Sequence, residues 1–315
     1  MPRARRGREL DAIVLLDKPQ GLSSNQALQR VRRLFDARKA GHTGSLDPLA
    51  TGMLPVCFGQ ATKICGLLLS SAKTYEVTAQ LGTATDTGDA EGTVTAHAAV
   101  PAFDADRLAR TLARFRGPIR QVPPMYSALK HEGQRLYTLA RAGQTVARAP
   151  RDVVIHELAV LAAEASTLSL RVHCSKGTYI RTLVEDIAAD LGTLGHVTVL
   201  RRVWVEPFEG LPMHSLEAIE ALAMAAREAL LLPTDQGLMR LPAVSLPGAA
   251  AHRLLEGVAV DCPAGTLQGE LLRVYAQPGG FVGLARVGAE GQLRPERMFP
   301  GLQPAGGACG SAQSY

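Results

Sequence analysis

The sequence predicts an α+β fold with a large N-terminal domain and a small β-rich C-terminal domain. Its 315 residues exceed the usual size of a single hydrophobic core. Segments with helical periodicity alternate with strand-like segments along the first 230 residues or so. After Leu232-Pro233, strand-like runs separated by glycine-rich turns are the recurring pattern. The chain is 46% hydrophobic and 20% charged, which is the composition of a folded globular protein.

The first elements lead to an irregular segment rich in glycine. The apolar run at 12–16 is followed by Asp17 and by Pro19, which predicts a strand at 12–17 that stops before the proline. Ser23 and Gln26 have the spacing of a capping box at the start of a helix. Residues 41–52 follow, with three glycines and a proline. This composition predicts a shaped loop and disfavours both helix and regular strand.

The remaining elements are predicted from their periodicity. Strands are expected at 75–81, 168–174, 241–246, 271–276 and 281–287, and helices at 104–116, 178–191 and 216–229. Residues 121–151 contain glycines, prolines and a short amphipathic piece at 136–140, which indicates an insertion. We therefore expect domains at 1–235 and 240–301, with a disordered tail at 302–315.

Several classes of protein are disfavoured by composition. No apolar run approaches the roughly 20 residues of a membrane helix, so neither a signal peptide nor an anchor is expected. The odd number of cysteines and their wide spacing predict a reducing, cytoplasmic location. The five cysteines are widely spaced and include no C-x-x-C pair, so neither a disulfide framework nor a metal site is expected. His173 and Cys174 are neighbours on an alternating segment, which places them on opposite faces as packing residues.

Positive charge is concentrated in one region. Residues 104–151 contain ten Lys or Arg and three Asp or Glu, a local charge of +7 in a chain of net charge +5. A concentrated basic region suits a polyanion, because neutralising phosphates releases counterions. Arg107, Arg110 and Arg114 have helical spacing, however, and a solvated helix face explains them equally well.

The motifs of the chain resemble those of the TruB family of tRNA pseudouridine synthases, which modify position 55 in the T loop. The central motif is Gly41-His42-Thr43-Gly44-Ser45-Leu46-Asp47-Pro48-Leu49-Ala50-Thr51-Gly52, with Ser45 where Thr or Ala is more usual. Further matches are Lys18-Pro19 with Gly21, Lys73-Thr74-Tyr75, the segments 85–92 and 123–130, and Ser175-Lys176-Gly177-Thr178-Tyr179-Ile180-Arg181. In this order the motifs span about two thirds of the chain.

The resemblance implies that Asp47 is the catalytic aspartate. Taken alone, an Asp before a Pro is usually a turn residue. The reaction breaks a C–N glycosidic bond and rejoins the base through carbon, so a nucleophile must hold one fragment. A carboxylate is ionised at neutral pH without an activating base, because its ordinary pKa is about 3.9. Attack on the uracil ring and attack on the sugar carbon both remain open.

Arg181 and Tyr75 are implied to complete the catalytic group. Arg181 would keep the Asp47 carboxylate ionised in a dry pocket, although its spacing also fits a surface pair with Glu185. Tyr75 would stack on the target base and assist proton removal; a core tyrosine on a strand is the alternative.

The resemblance also implies a set of RNA contacts. His42 would fill the gap left by the flipped base, or else serve as a hydrogen-bonding turn residue. Leu200 would form an apolar wall under the uracil, or else be a core leucine. The other expected contacts are Lys18, Lys73, Lys130, Arg148, Arg151 and Tyr179.

A pseudouridine synthase fold is implied, with a central mixed and largely antiparallel sheet and a PUA-like C-terminal domain. The insertion at 121–151 would close over the RNA. No cofactor and no metal are expected, and a monomer that binds the T stem-loop of tRNA suffices. Two alternatives stay open: a guide-RNA-dependent synthase of the dyskerin type, and a tRNA-folding chaperone with incidental catalysis.

Overall fold

A computed structural model describes residues 7–263 and 265–301 of the chain. The predicted disordered tail at 302–315, which includes Cys309, lies outside the described residues.

Strands form most of the regular structure. They are β1 (Ile13–Lys18), β2 (Ala40–His42), β3 (Thr51–Phe58), β4 (Lys73–Leu81), β5 (Thr83–Thr85), β6 (Val94–His97), β7 (Gly117–Gln121), β8 (Lys130–His131), β9 (Gln134–Arg135), β10 (Arg151–Ala163), β11 (Thr167–Cys174), β12 (Gly195–Val205), β13 (His214–Ser215), β14 (Ala243–Pro247), β15 (Val260–Asp261), β16 (Leu271–Gln277), β17 (Phe281–Val287) and β18 (Gln292–Met298). The helices are α1 (Ser24–Leu34), α2 (Cys65–Leu69), α3 (Ala105–Arg114), α4 (Leu136–Arg141), α5 (Ile180–Asp190), α6 (Leu216–Ala221), α7 (Met224–Glu228) and α8 (Gly248–Leu255), with short 3₁₀ turns at Gly59–Ile64 and Thr234–Leu238.

A nine-stranded mixed sheet forms the centre of the molecule. Its strands follow the order β13-β1-β3-β12-β4-β11-β10-β7, and β2 pairs with β3 beside this path. The pairs β1–β13 and β3–β12 are parallel, whereas the other neighbours are antiparallel. The prediction of an α+β fold with a mixed, largely antiparallel sheet is confirmed.

Strand β1 is apolar on both faces because both faces are covered. Val14 and Leu16 pack in the cluster that includes Val31 of α1. Ile13 and Leu15 point the other way, into a cluster shared with the C-terminal sheet. A strand buried on both faces has a continuous apolar run, as this one does.

The capping box predicted for α1 is present. Ser23 accepts from the Gln26 backbone amide at 3.3 Å, and the Gln26 side chain accepts from the Ser23 amide at 2.8 Å. Helix α5 lies on the other half of the sheet, where Leu183 and Ile187 pack with Val77 and Leu170. The central sheet thus holds its helices by apolar contacts that the sequence periodicity predicts.

The C-terminal sheet has five strands in the order β14-β16-β17-β18-β15. Helix α8, which the strand-based prediction missed, covers it through Ala251 and Leu254. Phe281 and Phe299 join the apolar cluster of β1 and β3. One apolar cluster therefore joins the two sheets.

Two predictions of local structure were wrong. Residues 41–52 are not entirely loop, since Gly41 and His42 end β2 and Thr51 begins β3. Gly52 permits the β3–β12 contact, because a Cβ there would lie 2.2 Å from the Arg202 carbonyl oxygen. The predicted helix at 216–229 is broken into α6 and α7.

The break between α6 and α7 has a local cause. Leu222 and Ala223 are extended, with ψ of 144° and 157°. The Arg227 side chain donates to the carbonyls of Ile219 and Glu220, which a continuing helix would have used.

Strands β10 and β12 were missed because bulges interrupt their alternation. The register shifts between Ile155 and Glu157 in β10 and between Arg202 and Trp204 in β12. Each bulge reverses the order of inward and outward residues, so a period of two is lost from the sequence.

Candidate active site

The loop between β2 and β3 carries Asp47 and is fixed by its neighbours. Leu46 and Leu49 are buried in the core cluster beneath α5. The Leu46 amide donates to Ser24 Oγ at 2.7 Å, and Ser24 Oγ donates to the Leu46 carbonyl at 3.0 Å. With apolar residues on both sides inserted into the core, the carboxylate of Asp47 is directed away from it.

Asp47 is ion-paired with Arg181. Arg181 Nε lies 3.0 Å from Asp47 Oδ2 and 3.7 Å from Asp89 Oδ2. The guanidinium also donates to the carbonyls of Thr87 and Tyr126. The Arg181 side chain is 5% exposed, whereas the Asp47 side chain is 42% exposed, so the guanidinium is shielded from water and the carboxylate is open to its surroundings. The alternative in which Arg181 pairs with Glu185 does not account for these contacts.

Asp89 is a site residue that sequence reasoning missed. Its side chain is 6% exposed and accepts from Thr87 Oγ1 at 2.7 Å and from the Glu91 amide at 3.1 Å. It lies in the matched segment 85–92, and the signal was an acidic residue between two glycines. The Asp89 carboxylate is thus a second acidic group beside the Arg181 guanidinium that pairs with Asp47.

Burial raises the pKa of Asp47, and the Asp89 carboxylate adds to this rise while the Arg181 guanidinium opposes it. The ionised form of Asp47 therefore depends on Arg181. A nucleophile needs that form, because a protonated carboxyl has lost its charge.

A cavity of about 320 Å³ opens beside Asp47. Its walls are Gly44, Ser45, Leu46, Asp47, Leu69, Lys73, Tyr75, Ser127, Ala128, Ser175, Gly177, Thr178, Tyr179, Ile180, Arg181, Leu200 and Arg202. Tyr75 and Leu200 are 9% and 7% exposed and present an aromatic ring and an apolar side chain to it. A concave site with apolar walls and a few convergent polar groups is typical of small-ligand binding.

Burial raises the pKa of Tyr75, and the positive charge of Arg202 opposes this rise. The phenol is protonated at neutral pH. Tyr75 thus enters the cavity as a neutral ring with a hydroxyl group.

Arg202 is a second site residue that was missed. It is 1% exposed, and its guanidinium donates to the carbonyls of Met53 at 2.7 Å and Gly44 at 3.1 Å. It connects β12 and β3 to the loop that carries Asp47. An arginine in the interior of a strand next to Arg201 gives no sequence signal of burial, because Arg is usually exposed.

Lys18 and Lys73, both expected to contact RNA, are held by backbone carbonyls. Lys18 Nζ donates to Pro19 and Leu22 at 2.8 and 2.6 Å and reaches Pro48 at 3.4 Å. Burial lowers the pKa of each ammonium to about 8. Lys18 is fully buried and Lys73 is 6% exposed. The Lys18 contacts support the loop that carries Asp47, and direct contact of either lysine with RNA stays a prediction.

The Lys73 ammonium binds the end of α2. It donates to the carbonyls of Leu69 and Ser71 at 3.0 and 2.5 Å. Leu69 itself lines the cavity, so Lys73 fixes one of the cavity walls.

Of His42 and Tyr179, only Tyr179 is among the cavity walls, whereas His42 ends β2 at the start of the loop that carries Asp47. His42 is half-buried, and its Nδ1 accepts from the Gly44 amide at 3.3 Å. Burial and the charge of Arg202 lower the pKa of His42, which keeps the ring neutral at neutral pH. Tyr179 precedes α5 and lines the cavity; its amide donates to Gln121 Oε1 at 3.1 Å.

The basic residues of the predicted insertion are not among the cavity walls. Gln121 pairs with Arg151, so residues 122–150 leave and rejoin the sheet at adjacent positions. Lys130 and Arg151 are exposed, whereas Arg148 is half-buried and donates to the Pro123 carbonyl at 3.0 Å. The same segment supplies Ser127 and Ala128 to the cavity.

Within residues 7–263 and 265–301, no group of three His, Cys, Asp or Glu side chains is arranged to hold a metal ion. In that same part of the chain, no helix is long and apolar enough to cross a membrane. His173 and Cys174 separate as predicted, with Cys174 in the core under α5 and His173 5.0 Å from the Trp204 ring.

Comparisons with known proteins cover nearly the whole chain. Residues 32–180 match the N-terminal domain of the TruB family pseudouridylate synthases. Residues 181–239 match the tRNA pseudouridylate synthase B C-terminal domain, and residues 242–299 match the C-terminal domain of TruB pseudouridine synthase II.

Curated relatives are similar over almost their full length. The tRNA pseudouridine synthase B of Chromohalobacter salexigens is 51% identical over 95% of this chain and 97% of its own. That of Cupriavidus metallidurans is 50% identical over 92% of this chain and 95% of its own.

Solved structures share the fold at lower identity. A chain of a Cbf5-Nop10-Gar1 complex matches 88% of this chain and 78% of its own, with a TM-score of 0.68 and 25% identity. A chain of an H/ACA RNP bound to a substrate RNA matches 91% of this chain and 84% of its own, with a TM-score of 0.69 and 22% identity.

Proposed function

Since the chain belongs to the TruB family of pseudouridine synthases, we propose that it converts uridine 55 in the T loop of tRNA into pseudouridine. Relatives about half identical over nearly the full chain are named tRNA pseudouridine synthase B, which supports tRNA as the substrate. The proposal for the reacting group rests on one observation. Asp47 is ion-paired at 3.0 Å with the buried Arg181 at the edge of a cavity that Tyr75 and Leu200 line.

Asp47 is the proposed nucleophile. The bond between C1′ of the ribose and N1 of uracil breaks, the base rotates, and a bond from C1′ to C5 replaces it. The proton leaves C5, and N1 carries a hydrogen in the product. Addition to the ring and attack at C1′ both need the Asp47 carboxylate in its ionised form, which Arg181 favours.

Tyr75 and Leu200 are proposed to hold the uracil between an aromatic ring and an apolar side chain. Stacking tolerates rotation of the base, because it depends on the ring faces rather than on hydrogen bonds at the edges. The hydroxyl of Tyr75 is the candidate for assisting the departure of the C5 proton.

Asp47 can reach the target uridine only if that nucleotide leaves its stack in the T loop. His42 lies at the entrance to the loop that carries Asp47 and is proposed to occupy the gap. Its neutral ring suits stacking in place of a base. Segment 122–150 is proposed to close over the RNA with Lys130, Arg148 and Arg151 near phosphates, and the C-terminal domain to bind RNA in a PUA-like manner.

The alternatives make different predictions about partners. A guide-RNA-dependent synthase would need protein and RNA partners, whereas a monomer with segment 122–150 is proposed to act alone on tRNA. A chaperone would fold tRNA equally well without Asp47. Relatives named for the tRNA reaction support the stand-alone enzyme.

The test is to map pseudouridine in unmodified tRNA transcripts after incubation with the purified protein, without cofactor, guide RNA or partner. Wild-type protein is expected to modify position 55. Asp47→Asn should lower turnover by at least about 10⁴-fold, the scale seen when a nucleophile is removed, while tRNA binding persists. Asp261→Asn, at an exposed position of the C-terminal sheet, is the matched control and should leave turnover unchanged.

Modification at another position would contradict the assignment of uridine 55. Full turnover by Asp47→Asn would contradict the nucleophile. A requirement for a guide RNA would favour the dyskerin-type alternative.

A further inference from the structure

Two cysteines outside the proposed chemistry lie close together in β3 and at the start of α2, next to strand β2. Cys57 belongs to β3 and is fully buried in the apolar cluster of β1 and β3. Cys65 is the first residue of α2, is partly exposed and packs against the same cluster. The short turn between them brings two thiols together from positions eight residues apart.

The register of β2 and β3 fixes their proximity. Gly41 is directly opposite Cys57, and a Cβ on Gly41 would lie 3.4 Å from Cys65 Sγ. Directly opposite residues of antiparallel strands project to the same face, with Cβ atoms about 5 Å apart. The Cys65 sulfur therefore lies over the Gly41 position, beside the side chain of Cys57.

The two thiols differ in acidity. A hydrogen bond between them raises the pKa of Cys57 and lowers the pKa of Cys65. The partly exposed Cys65 is thus the better nucleophile, and the buried Cys57 is placed to react second.

We propose that Cys57 and Cys65 form a reversible intramolecular disulfide when the protein meets a peroxide, and that this bond slows the active site. The Cys65 thiolate attacks a peroxide oxygen, and the O–O bond breaks to give a sulfenic acid. The Cys57 sulfur then attacks the Cys65 sulfur and water leaves. Two thiols and one hydrogen peroxide yield one disulfide and two waters, and a dithiol reductant reverses the change.

The location of the pair connects it to the cavity. Gly41 is followed by His42 and the loop that carries Asp47, and α2 supplies Leu69 to the cavity wall. A disulfide holds its sulfurs at about 2.05 Å, closer than two hydrogen-bonded thiols. The bond would draw the start of α2 toward β3 and against Gly41, where little free space exists. The effect on activity rests on the proposed function, whereas formation of the bond does not.

The other cysteines of the described residues are less suited to this reaction. Cys174 is buried under α5, and burial raises its pKa to about 11. Cys262 lies in the C-terminal domain, 2.7 Å from the Thr266 hydroxyl. Cys262 is therefore a matched control for Cys65, since both are partly exposed.

Peptide mapping tests the bond directly. The intact protein is treated with hydrogen peroxide, its free thiols are alkylated in denaturant, and it is digested with trypsin without reduction. Trypsin cleaves after Lys39, Lys63 and Lys73, so the disulfide would join peptides 40–63 and 64–73. This linked species is expected in wild-type protein and in Cys262→Ala, and it should vanish on reduction. Its absence from peroxide-treated wild-type protein would overturn the proposal.

Turnover on tRNA tests the consequence. Oxidised wild-type and Cys262→Ala proteins should turn over about tenfold more slowly, since small displacements of a reacting group have effects of this size or larger. A dithiol should restore the rate, and Cys65→Ala should resist peroxide while keeping its basal rate. Linked protein that turns over tRNA at the unoxidised rate would overturn the regulatory role. The linked peptides depend neither on Asp47 nor on activity, so their detection separates this proposal from the proposed function.

Discussion

Around the cavity beside Asp47, a region that we call the cleft, the cations Lys18, Arg181 and Arg202 are each 5% exposed or less. In the C-terminal sheet, by contrast, Arg286 and Glu296 form an ion pair with 47% and 33% of their side chains exposed. The cleft cations bind carbonyl or carboxylate oxygens of the segments around Asp47. Arg286 and Glu296 instead lie on the outer face of a sheet whose core is apolar.

The difference separates two uses of charge. Burying a cation is costly unless every donor finds an acceptor, and its stabilising value is then modest. The cleft contains such cations in spite of the cost of burying them, and they fix the position of the loop that carries Asp47. Arg273 is an intermediate case, because it is 9% exposed and donates to the Leu241 carbonyl between the two sheets.

After the loss expected for Asp47→Asn, the next effect on turnover contrasts two tyrosines. Tyr75→Phe should lower kcat by about 10²-fold through loss of the proton-transfer group, with tRNA binding retained. Tyr275 of the C-terminal sheet also has a bonded hydroxyl, which donates to Asp235 at 2.7 Å. Tyr275→Phe should lower the Tm and leave kcat unchanged. Single-turnover kinetics and thermal unfolding measure the two effects, and unchanged kcat in Tyr75→Phe would remove the proton-transfer role.

Two arginines sharpen the comparison in stability. Arg202→Met removes the donors to the buried Met53 carbonyl and the partly buried Gly44 carbonyl and should lower the free energy of unfolding by about 3 kcal/mol. Arg286→Met removes a surface ion pair and should lower the free energy of unfolding by about 1 kcal/mol or less. Urea unfolding of both variants measures the difference. Equal losses would show that burial of the cleft cation has no special consequence.

His42→Ala tests the proposed base-flipping residue. A loss of about tenfold, or 1.4 kcal/mol, is expected on folded tRNA, because the gap left by the base is no longer filled. A short RNA whose uridine is already unstacked should be modified at close to the wild-type rate. kcat/KM on the two substrates gives the answer, and equal losses on both would exclude the wedge.

The smallest expected effect is on the pH profile. The pKa of Asp47 is raised above its ordinary value, and the ionised carboxylate is the active form. We therefore expect kcat/KM to be at its full value above that pKa and to fall as the pH drops through it. Arg181→Lys moves the opposing charge away and should shift the acid limb to higher pH by about one unit or less. Arg286→Lys is the control and should not shift it. An acid limb that moves to lower pH in Arg181→Lys would contradict the role of Arg181.

Much of the fold could be predicted from periodicity and capping, but several strands, among them β3, β10 and β12, were not. Strand β1 and helix α1 follow from an apolar run and a capping box. Strands β10 and β12 could not be found, because their bulges break the alternation that identifies a strand. The position of Asp47 in a motif was readable, whereas the burial of Arg202 and the contact of Asp89 with Arg181 were not.

By itself the sequence determined which segments are apolar, where turns must occur, and which residue types are available for chemistry. These are local properties, set by side-chain hydrophobicity and by the backbone limits of glycine and proline. Only the tertiary structure decided which charges are buried together. Arg181 and Asp47 are 134 residues apart in the chain, and α5 and the β2–β3 loop must pack on one core before the guanidinium can reach the carboxylate.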